Sequence, residues 1–358
     1  MLKIKRYLLG TFLCGLAACS KDNIQPPIDR TTQPRTMGVF IENNYDLSLL
    51  STALKKTGLY DTLINNGPFT MFAPDNKAFG QLGIATTAQI DAMNTDSLRE
   101  ILKYHIIRNR NFTNMMPLQL DVKYPTLADK PLYVSMDITP VIFNPAERQI
   151  AVNGSLVGIG SKRDLALANG VIHIISKPFQ LSDNTVQDFI AADTSLSLFQ
   201  AAMQQFGMWN DLKSKPLLTV FVPNNEAFRK NDLTLEKIKA MKPAEYKPAL
   251  FGIYTLNMRP LRIFSTDGVM VSKTNIYGSS VAVIDTVYGV SPNFQGFTEI
   301  TSANVAVMKL DQNFWSTNPD GVSSANYYNG LAGSDHLCEN GVVHVVTDMF
   351  LRPEPLKR

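Results

Sequence analysis

Apolar positions in the first half of the chain follow a spacing that returns later in the sequence. Leu47, Leu50 and Leu54 are three and four residues apart, which predicts a helix with one buried face. The same spacing begins again 149 residues later at Leu196. Each run is followed by a glycine, as is common just after the end of a helix. The pattern predicts two similar amphipathic helices.

A strand pattern follows each of these helices. Residues 69–73 and 218–222 are rich in aromatic, β-branched and other apolar residues, which favour strands. Pro74 and Pro223 stand at the ends of the two runs, where a proline removes a hydrogen-bond donor. The Asp or Asn that follows each proline is a good helix cap, so the chain is expected to turn from strand to helix.

Both halves also close on the same type of segment. Residues 169–175 read NGVIHII and residues 340–346 read NGVVHVV. An Asn-Gly pair followed by a β-branched run predicts a hairpin. His173 and His344 stand inside these runs, and a hydrogen-bonded structural imidazole is the role we expect for each.

The two patterns arise from an internal duplication. Residues 46–79 align without a gap on residues 195–228, with 12 of 34 positions identical. We predict two domains, residues 37–182 and 183–353. The offset grows from 149 to 171 towards the closing segments, so the second domain carries 22 additional residues, mostly within an insertion at about residues 310–337.

Several motifs of the duplicated unit resemble the fasciclin family. Residues 69–79 (FTMFAPDNKAF) and 218–228 (LTVFVPNNEAF) are similar to its first signature motif, residues 102–105 (LKYH) to its central Tyr-His motif, and the two NG…H runs to its closing motif. The resemblance implies an α+β fold in which each domain is a wedge-shaped β-sandwich with packed helices. It also implies adhesion or matrix contact rather than catalysis.

The N-terminus resembles the signal peptide of a bacterial lipoprotein. Lys3, Lys5 and Arg6 precede a short apolar run, which ends in LAAC at residues 16–19. This resemblance implies cleavage after residue 18 and lipid attachment at Cys19, with a tether over residues 19–36. Charged residues just after Cys19 resemble the export signals of Bacteroidota lipoproteins. We therefore expect an outer-membrane lipoprotein of the cell envelope, and leave open which face of the membrane carries it.

Charge adds little to this interpretation. The chain has 34 basic and 31 acidic side chains, and without the three basic residues of the leader the counts are equal, 31 and 31. A neutral chain lacks the broad positive field that attracts phosphates, so no nucleic-acid partner is expected. Cys14 and Cys19 lie in the N-terminal segment, so one cysteine, Cys338, is left in the body of the chain, and it cannot form a disulfide within a domain.

Candidate contact residues fall in two places. If the Tyr-His motif marks a contact surface, Tyr104 and His105 carry it in the first domain, whereas the second domain has Ile253 and Tyr254 on the gapless alignment. The insertion offers another set of aromatic residues: Trp315, Tyr327 and Tyr328. These rings suit sugar faces or protein hot spots, and they also suit a role in covering the sandwich.

No grouping of residues predicts catalysis or a bound cofactor. The sequence has no Gly-x-Ser-x-Gly motif, and His336 with Cys338 lacks the further ligands that zinc needs. Neither a metal nor another cofactor is expected. The sequence therefore predicts a lipid-anchored adhesion or binding protein that contacts protein or glycan. The alternative is a structural accessory subunit of an outer-membrane complex such as a glycan-uptake system.

Overall fold

The computed structural model describes most of the chain from residue 35 onward. The described residues are 35–136, 148–181, 183–256, 262–267, 282–284, 288–295, 302–311, 314–327 and 330–358. We call residues 35–181 the N-terminal half and residues 183–358 the C-terminal half. The predicted signal peptide, Cys19 and the predicted tether up to residue 34 lie outside the described residues.

Short helices occur in the same order in the two halves. Those of the N-terminal half are α1 Met37–Glu42, α2 Ser48–Thr57, α3 Leu59–Asn65, α4 Asn76–Gly80, α5 Thr87–Ala92 and α6 Thr95–Tyr104. Those of the C-terminal half are α7 Val186–Ala192, α8 Ser197–Gln205, α9 Asp211–Ser214, α10 Asn225–Lys230, α11 Leu235–Ala240 and α12 Ala249–Gly252. The two helices expected from the apolar spacing are α2 and α8, and both are confirmed.

The strands of the two halves also correspond. The N-terminal half contains β1 Phe69–Pro74, β2 Ile106–Arg108, β3 Val122–Pro125, β4 Pro131–Met136, β5 Ile150–Val152, β6 Ser155–Leu156, β7 Leu165–Leu167 and β8 Gly170–Ile175. The C-terminal half contains β9 Leu218–Pro223, β10 Thr255–Leu256, β11 Ala282–Ile284, β12 Tyr288–Gln295, β13 Ser302–Asp311, β14 Phe314–Thr317, β15 Ser324–Asn326, β16 His336–Cys338 and β17 Gly341–Val346.

Among the described residues, each half forms two sheets. The first sheets have the matching orders β2-β1-β8-β7 and β10-β9-β17-β16, and the central pair of each sheet is parallel. The second sheets are antiparallel, with the orders β3-β4-β5-β6 and β11-β12-β13-β14, and β15 pairs with β13. The expected α+β fold class, with helices packed on paired sheets, is confirmed.

The central strands are apolar because both of their faces are covered. Every residue of β1, β8, β9 and β17 is buried. A parallel pair covered on both sides favours continuous apolar runs over alternation. Buried apolar side chains around each central pair form the main cores of the two halves.

The expected closing hairpins are confirmed, although the glycine lies in the strand and not in the turn where the Asn-Gly pair placed it. In the hairpin of β7 and β8, Leu167 pairs with Gly170, so Ala168 and Asn169 form the turn. A Cβ on Gly170 would lie 2.2 Å from the Phe69 carbonyl oxygen. Glycine is therefore required because the neighbouring strand approaches closely.

The predicted insertion at about residues 310–337 is partly strand. Phe314 and Trp315 lie in β14, which pairs with β13 and places Leu310 opposite Trp315. Aromatic residues and Thr317 favour an extended chain, which explains why this part of the predicted insertion joins the second sheet.

No helix within the described ranges is long and apolar enough to span a bilayer.

Candidate functional site

Tyr104 ends helix α6 and lies inside the N-terminal half. Its side chain is 1% exposed. The hydroxyl donates to the Pro131 carbonyl oxygen at 2.9 Å and accepts from Asn153 Nδ2 at 2.9 Å. Burial raises the pKa of Tyr104 well above its ordinary value, so the phenol stays protonated. In this structure Tyr104 supports the second sheet from the interior, and its contact role stays a prediction.

His105 is equally buried and links helix α6 to the segment after β8. Its Nδ1 donates to the Ile101 carbonyl oxygen at 2.8 Å, and its Nε2 accepts from the Phe179 backbone N–H at 2.9 Å. The ring also stacks on Phe179, with centroids 4.5 Å apart. Burial lowers the pKa of His105 to about 4, so the imidazole is neutral at physiological pH.

Tyr254 makes the corresponding hydrogen bond and ring contact in the C-terminal half. Its hydroxyl oxygen accepts from the Phe350 backbone N–H at 2.8 Å, and the two rings stack 4.9 Å apart. The change from His105 to Tyr254 therefore keeps the hydrogen bond while changing the chemical group. The side chains at both positions are buried and stabilise the interior of their own half.

The aromatic residues of the insertion have different positions. Tyr327 is 2% exposed, its backbone bridges to Val346, and its ring stacks on His344 at 5.5 Å. Tyr327 thus covers the sandwich, the second of the two roles left open above. Trp315 lies in β14, and its contact role stays a prediction. Tyr328 lies outside the described residues.

A buried His–Asp network occurs in the N-terminal half. His173 Nδ1 accepts from the Asp164 backbone N–H at 3.2 Å, so the proton of the neutral ring is on Nε2. Nε2 then donates to the Asn111 carbonyl oxygen at 2.9 Å. The Asp164 carboxylate accepts hydrogen bonds from the backbone N–H and the hydroxyl of Thr113. Burial lowers the pKa of His173 and keeps the ring neutral.

The C-terminal half repeats this network. His344 Nδ1 accepts from the Asp335 N–H at 3.2 Å, and Nε2 donates to the Ile263 carbonyl oxygen at 3.0 Å. Ser265 donates to the Asp335 carboxylate through its N–H at 2.6 Å and its hydroxyl at 2.7 Å. The expected structural role of the two strand histidines is confirmed.

Asp335 also binds the N-terminal half. Lys177 Nζ lies 2.7 Å from Asp335 Oδ2, and the Asp335 side chain is fully buried. Burial alone would raise the pKa of Asp335, but the charges of Lys177 and the hydrogen bonds lower it to about 2. We call the contact surface between the two halves, to which Lys177 and Asp335 belong, the joint.

The joint leaves no room for a side chain beside Asp335. A Cβ on Gly154 would lie 2.3 Å from the Asp335 carboxyl carbon. Gly154 follows Asn153 in the turn between β5 and β6, and Asn153 is held by Tyr104 and by the Tyr133 backbone. The buried Tyr104 therefore supports the turn that meets Asp335.

Arg262 forms a second contact across the joint. Its guanidinium lies 4.4 Å from the centre of the Tyr133 ring and 4.0 Å from the Asp121 carboxylate. Nη2 of Arg262 also donates to the Glu339 carbonyl oxygen at 3.3 Å. A cation over an aromatic face is favourable, and more so when water is excluded.

Asp267 is a third acidic residue in the joint. Its carboxylate accepts from the Phe264 N–H at 2.9 Å, and Ser135 of the N-terminal half lies near it. Burial, together with the nearby carboxylates of Asp121 and Asp335, raises the pKa of Asp267 to about 7. Burial likewise raises the pKa of Asp121 to about 6, although Arg262 opposes the shift.

A cavity of about 310 Å³ lies beside the joint. It is lined by residues of both halves: Tyr104, Lys130, Pro131, Tyr133, Leu181, Asp183, Leu337, Cys338 and Glu339. Lys130 and Asp183 form an ion pair at this cavity. Burial raises the pKa of the Cys338 thiol to about 12, which leaves it a poor nucleophile.

Metal ligands are not clustered in the part of the chain that the structure describes. No three His, Cys, Asp or Glu side chains there are placed to hold an ion together. His336 contacts Phe189, with ring centroids 5.0 Å apart, and its own carbonyl oxygen is the partner of the Cys338 thiol.

Comparison with known proteins agrees with this fold. Residues 45–180 match the family model of the fasciclin domain. The chain is also 30% identical over 128 residues to the uncharacterized protein sll1735 of Synechocystis sp., a match that covers 36% of this chain and 84% of that protein. The chain belongs to the fasciclin family.

Two further matches involve an insect fasciclin. Fasciclin-1 of Schistocerca americana is 23% identical over 288 residues, covering 79% of this chain and 39% of that protein. A solved FAS1 domain pair from the insect cell adhesion molecule fasciclin I has a TM-score of 0.39 at 17% identity, covering 86% of this chain and 97% of that one. The chain spans 22% to 39% of the length of its first curated relatives.

The C-terminal half is a second unit of the fasciclin type by its own geometry. Its first sheet has the same strand order as that of the matched half. It also contains the same two hydrogen-bonded features: the His–Asp network, and a hydrogen bond from a backbone N–H after the closing strand to a buried ring.

Sequence reasoning found the two strand histidines of this network and missed the aspartates. Asp164 and Asp335 each stand nine residues before the histidine that they contact. That repeated nine-residue spacing was a signal that could have identified them. The contact of Lys177 with Asp335 left no such signal, because the two residues are 158 positions apart.

Proposed function

We propose that this fasciclin protein acts by adhesion or binding, with both halves presented to protein or glycan as one body. The observation that carries the proposal is the joint, in which Lys177 and Asp335 pair away from solvent. Tyr133 of the N-terminal half and Phe264 of the C-terminal half are buried in one apolar cluster of the joint, so separation of the halves would expose apolar surface to water. A body of fixed shape presents surfaces of both halves to a partner at once.

The roles of the most reactive groups support binding rather than catalysis. His105, His173 and His344 are neutral, buried and hydrogen-bonded within the fold, and burial keeps the Cys338 thiol protonated. Catalytic acids and bases need access to substrate and a pKa near the working pH. These groups stabilise the structure instead.

The proposed setting is the outer membrane, with the protein attached through lipid on Cys19. The support is the N-terminal sequence, in which a basic segment, a short apolar run and LAAC precede a polar stretch. Two or more acyl chains give durable attachment, since each buried methylene contributes about 0.8 kcal/mol.

Attachment and adhesion are tested together in cells that produce the full chain. We expect metabolic labelling with an alkyne fatty acid to mark the wild-type protein and the Cys14→Ala control. Cys19→Ala should lose the label and appear outside the membrane fraction. Labelled Cys19→Ala protein would contradict the lipid site.

Binding is measured with the same cells on arrays of extracellular-matrix proteins and glycans. We expect cells with wild-type or Cys14→Ala protein to be retained on at least one class of probe, and cells with Cys19→Ala to be retained no better than cells without the protein. Equal retention of all strains would contradict an adhesive role.

A further inference from the structure

The N-terminal half carries a second copy of the surface through which the C-terminal half enters the joint. We call this copy the open face, and it consists of Arg110, Phe112, Thr113, Met115 and Asp164. We call its counterpart the joint face, and it consists of Arg262, Phe264, Ser265, Asp267 and Asp335.

Matching hydrogen bonds establish the correspondence. Thr113 and Ser265 each donate an N–H and a hydroxyl to the aspartate of their own half. The backbone N–H of Met115 donates to the Phe112 carbonyl oxygen at 2.9 Å, and the Asp267 N–H donates to the Phe264 carbonyl oxygen at 3.0 Å.

The arginines correspond as well. Arg110 Nη2 donates to the Ala168 carbonyl oxygen, and Arg262 Nη2 donates to the Glu339 carbonyl oxygen. Ala168 and Glu339 each precede the asparagine of a closing hairpin. The open face and the joint face are thus the same surface on two copies of one fold.

The two faces differ in what covers them. In the joint, Lys177 pairs with Asp335, Arg262 lies over Tyr133, and Phe264 is 1% exposed. On the open face, Met115 is 66% exposed and the Asp164 side chain is 34% exposed.

The charged side chains of the open face also differ from those of the joint face in their contacts. Among the described residues, no lysine or arginine pairs with Asp164, and the guanidinium of Arg110 contacts backbone carbonyls and no ring. Arg163, the residue before Asp164, donates to the Arg148 carbonyl oxygen.

We propose that the open face binds a second protein that presents a lysine beside an aromatic ring. The N-terminal half presents this chemistry to the joint face through Lys177 and Tyr133. The lysine would pair with Asp164, and the ring would lie under Arg110 against Met115. This inference rests on the proposed binding function and adds the surface and the kind of partner.

A second copy of this chain does not present the chemistry of the proposed partner. In the C-terminal half, Asp348 stands where the N-terminal half has Lys177, two residues before the phenylalanine that binds Tyr254 or His105. A repeat of the joint between copies would therefore place Asp348 against Asp164, and like charges repel. Lys177 of another copy already pairs with its own Asp335.

The surface can be tested with a probe that carries the required chemistry. Residues 35–184 are joined ahead of Thr36 of residues 36–358, with Met115→Leu in the added copy. This splice keeps the native spacing, because the N–H groups of Met37 and Val186 both donate to a hairpin asparagine, at 2.8 Å in each case. The added copy holds its own apolar clusters.

The readout is the rate at which peroxide oxidises the remaining Met115. We expect oxidation at least about tenfold slower than in the two-half protein, since a covered methionine reacts only when the contact opens. Lys177→Met in the added copy, or Asp164→Asn in the original N-terminal half, should restore the fast rate. Asp91→Asn, at an exposed site elsewhere, should not.

The natural partner is tested by the same readout on the full chain in intact producing cells. We expect Met115 to be protected in cells, exposed in the purified protein, and exposed in cells with Asp164→Asn. Met115 that reacts as fast in cells as in purified protein would overturn the proposal. If adhesion nevertheless persists, only the open face is refuted; if adhesion is also lost, the proposed function fails with it.

Discussion

His105 and Tyr254 accept the same backbone hydrogen bond in the two halves, from the N–H of Phe179 and of Phe350 respectively. One acceptor is an imidazole nitrogen and the other a phenol oxygen, and both rings stack on the phenylalanine whose N–H they bind. The position therefore requires a flat ring with an acceptor at its far end rather than a particular residue.

This requirement predicts the effect of removing the acceptor alone. Tyr254→Phe keeps the ring and leaves the Phe350 N–H buried without a partner, which should lower the free energy of unfolding by about 1–3 kcal/mol. Tyr45→Phe, at a side chain that is 87% exposed, should change it by less than about 0.5 kcal/mol. Urea denaturation measures both, and equal effects would contradict the assigned role.

The turn at Gly154 provides a test of the joint with a close control. Gly154 and Gly83 share a φ of +75°. Of the two, only at Gly154 would an added Cβ meet atoms of the described residues within 4 Å, those of the Asp335 carboxyl group. Gly83→Ala should cost about 1 kcal/mol, the backbone strain alone. Gly154→Ala adds a clash of the kind that costs about 1–3 kcal/mol more. Similar losses of thermal stability for the two variants would show that Asp335 does not pack against this turn.

Stability should depend on pH through Asp267. Its pKa is raised to about 7 in the folded state, whereas an ordinary aspartate has a pKa of 3.8. The folded protein therefore holds this proton more tightly, so its contribution is greatest below pH 3.8 and is lost as the pH rises towards 7.

The variant Asp267→Asn isolates that contribution. It keeps an oxygen for the Phe264 N–H and removes the titration. Relative to wild type, the variant should gain stability between about pH 4 and 7, with a slope of at most about 1.4 kcal/mol per pH unit. Chemical denaturation at a series of pH values gives the difference, and a constant difference across this range would refute the assignment.

The duplicated sequence predicted much of the fold because it contains most of the local determinants. Asp75 and Asn224 cap the helices after the first strands, as expected, and Gly58, the glycine expected just after α2, adopts a left-handed conformation there. These features depend on residues close together in the chain, so a pattern in the sequence can indicate them.

The joint could not be predicted in the same way. The duplication preserves only one side of its ion pair: Asp335 corresponds to Asp164, whereas the counterpart of Lys177 is Asp348. Tyr104 and His105 were expected at a contact surface because of the resemblance of their motif, and the structure places both in the interior. Composition alone does not separate a buried polar ring from an exposed one, since either can be hydrogen-bonded.

Lys177 and Asp335 form the ion pair that joins the two halves, and a double-mutant cycle measures their interaction directly. The cycle uses Lys177→Met, Asp335→Asn and both together, with unfolding followed by urea denaturation. Each single change should cost about 3–5 kcal/mol, and the double variant should cost clearly less than their sum, by about 1–3 kcal/mol. If the two effects instead add to within about 0.5 kcal/mol, the halves are not joined through this pair.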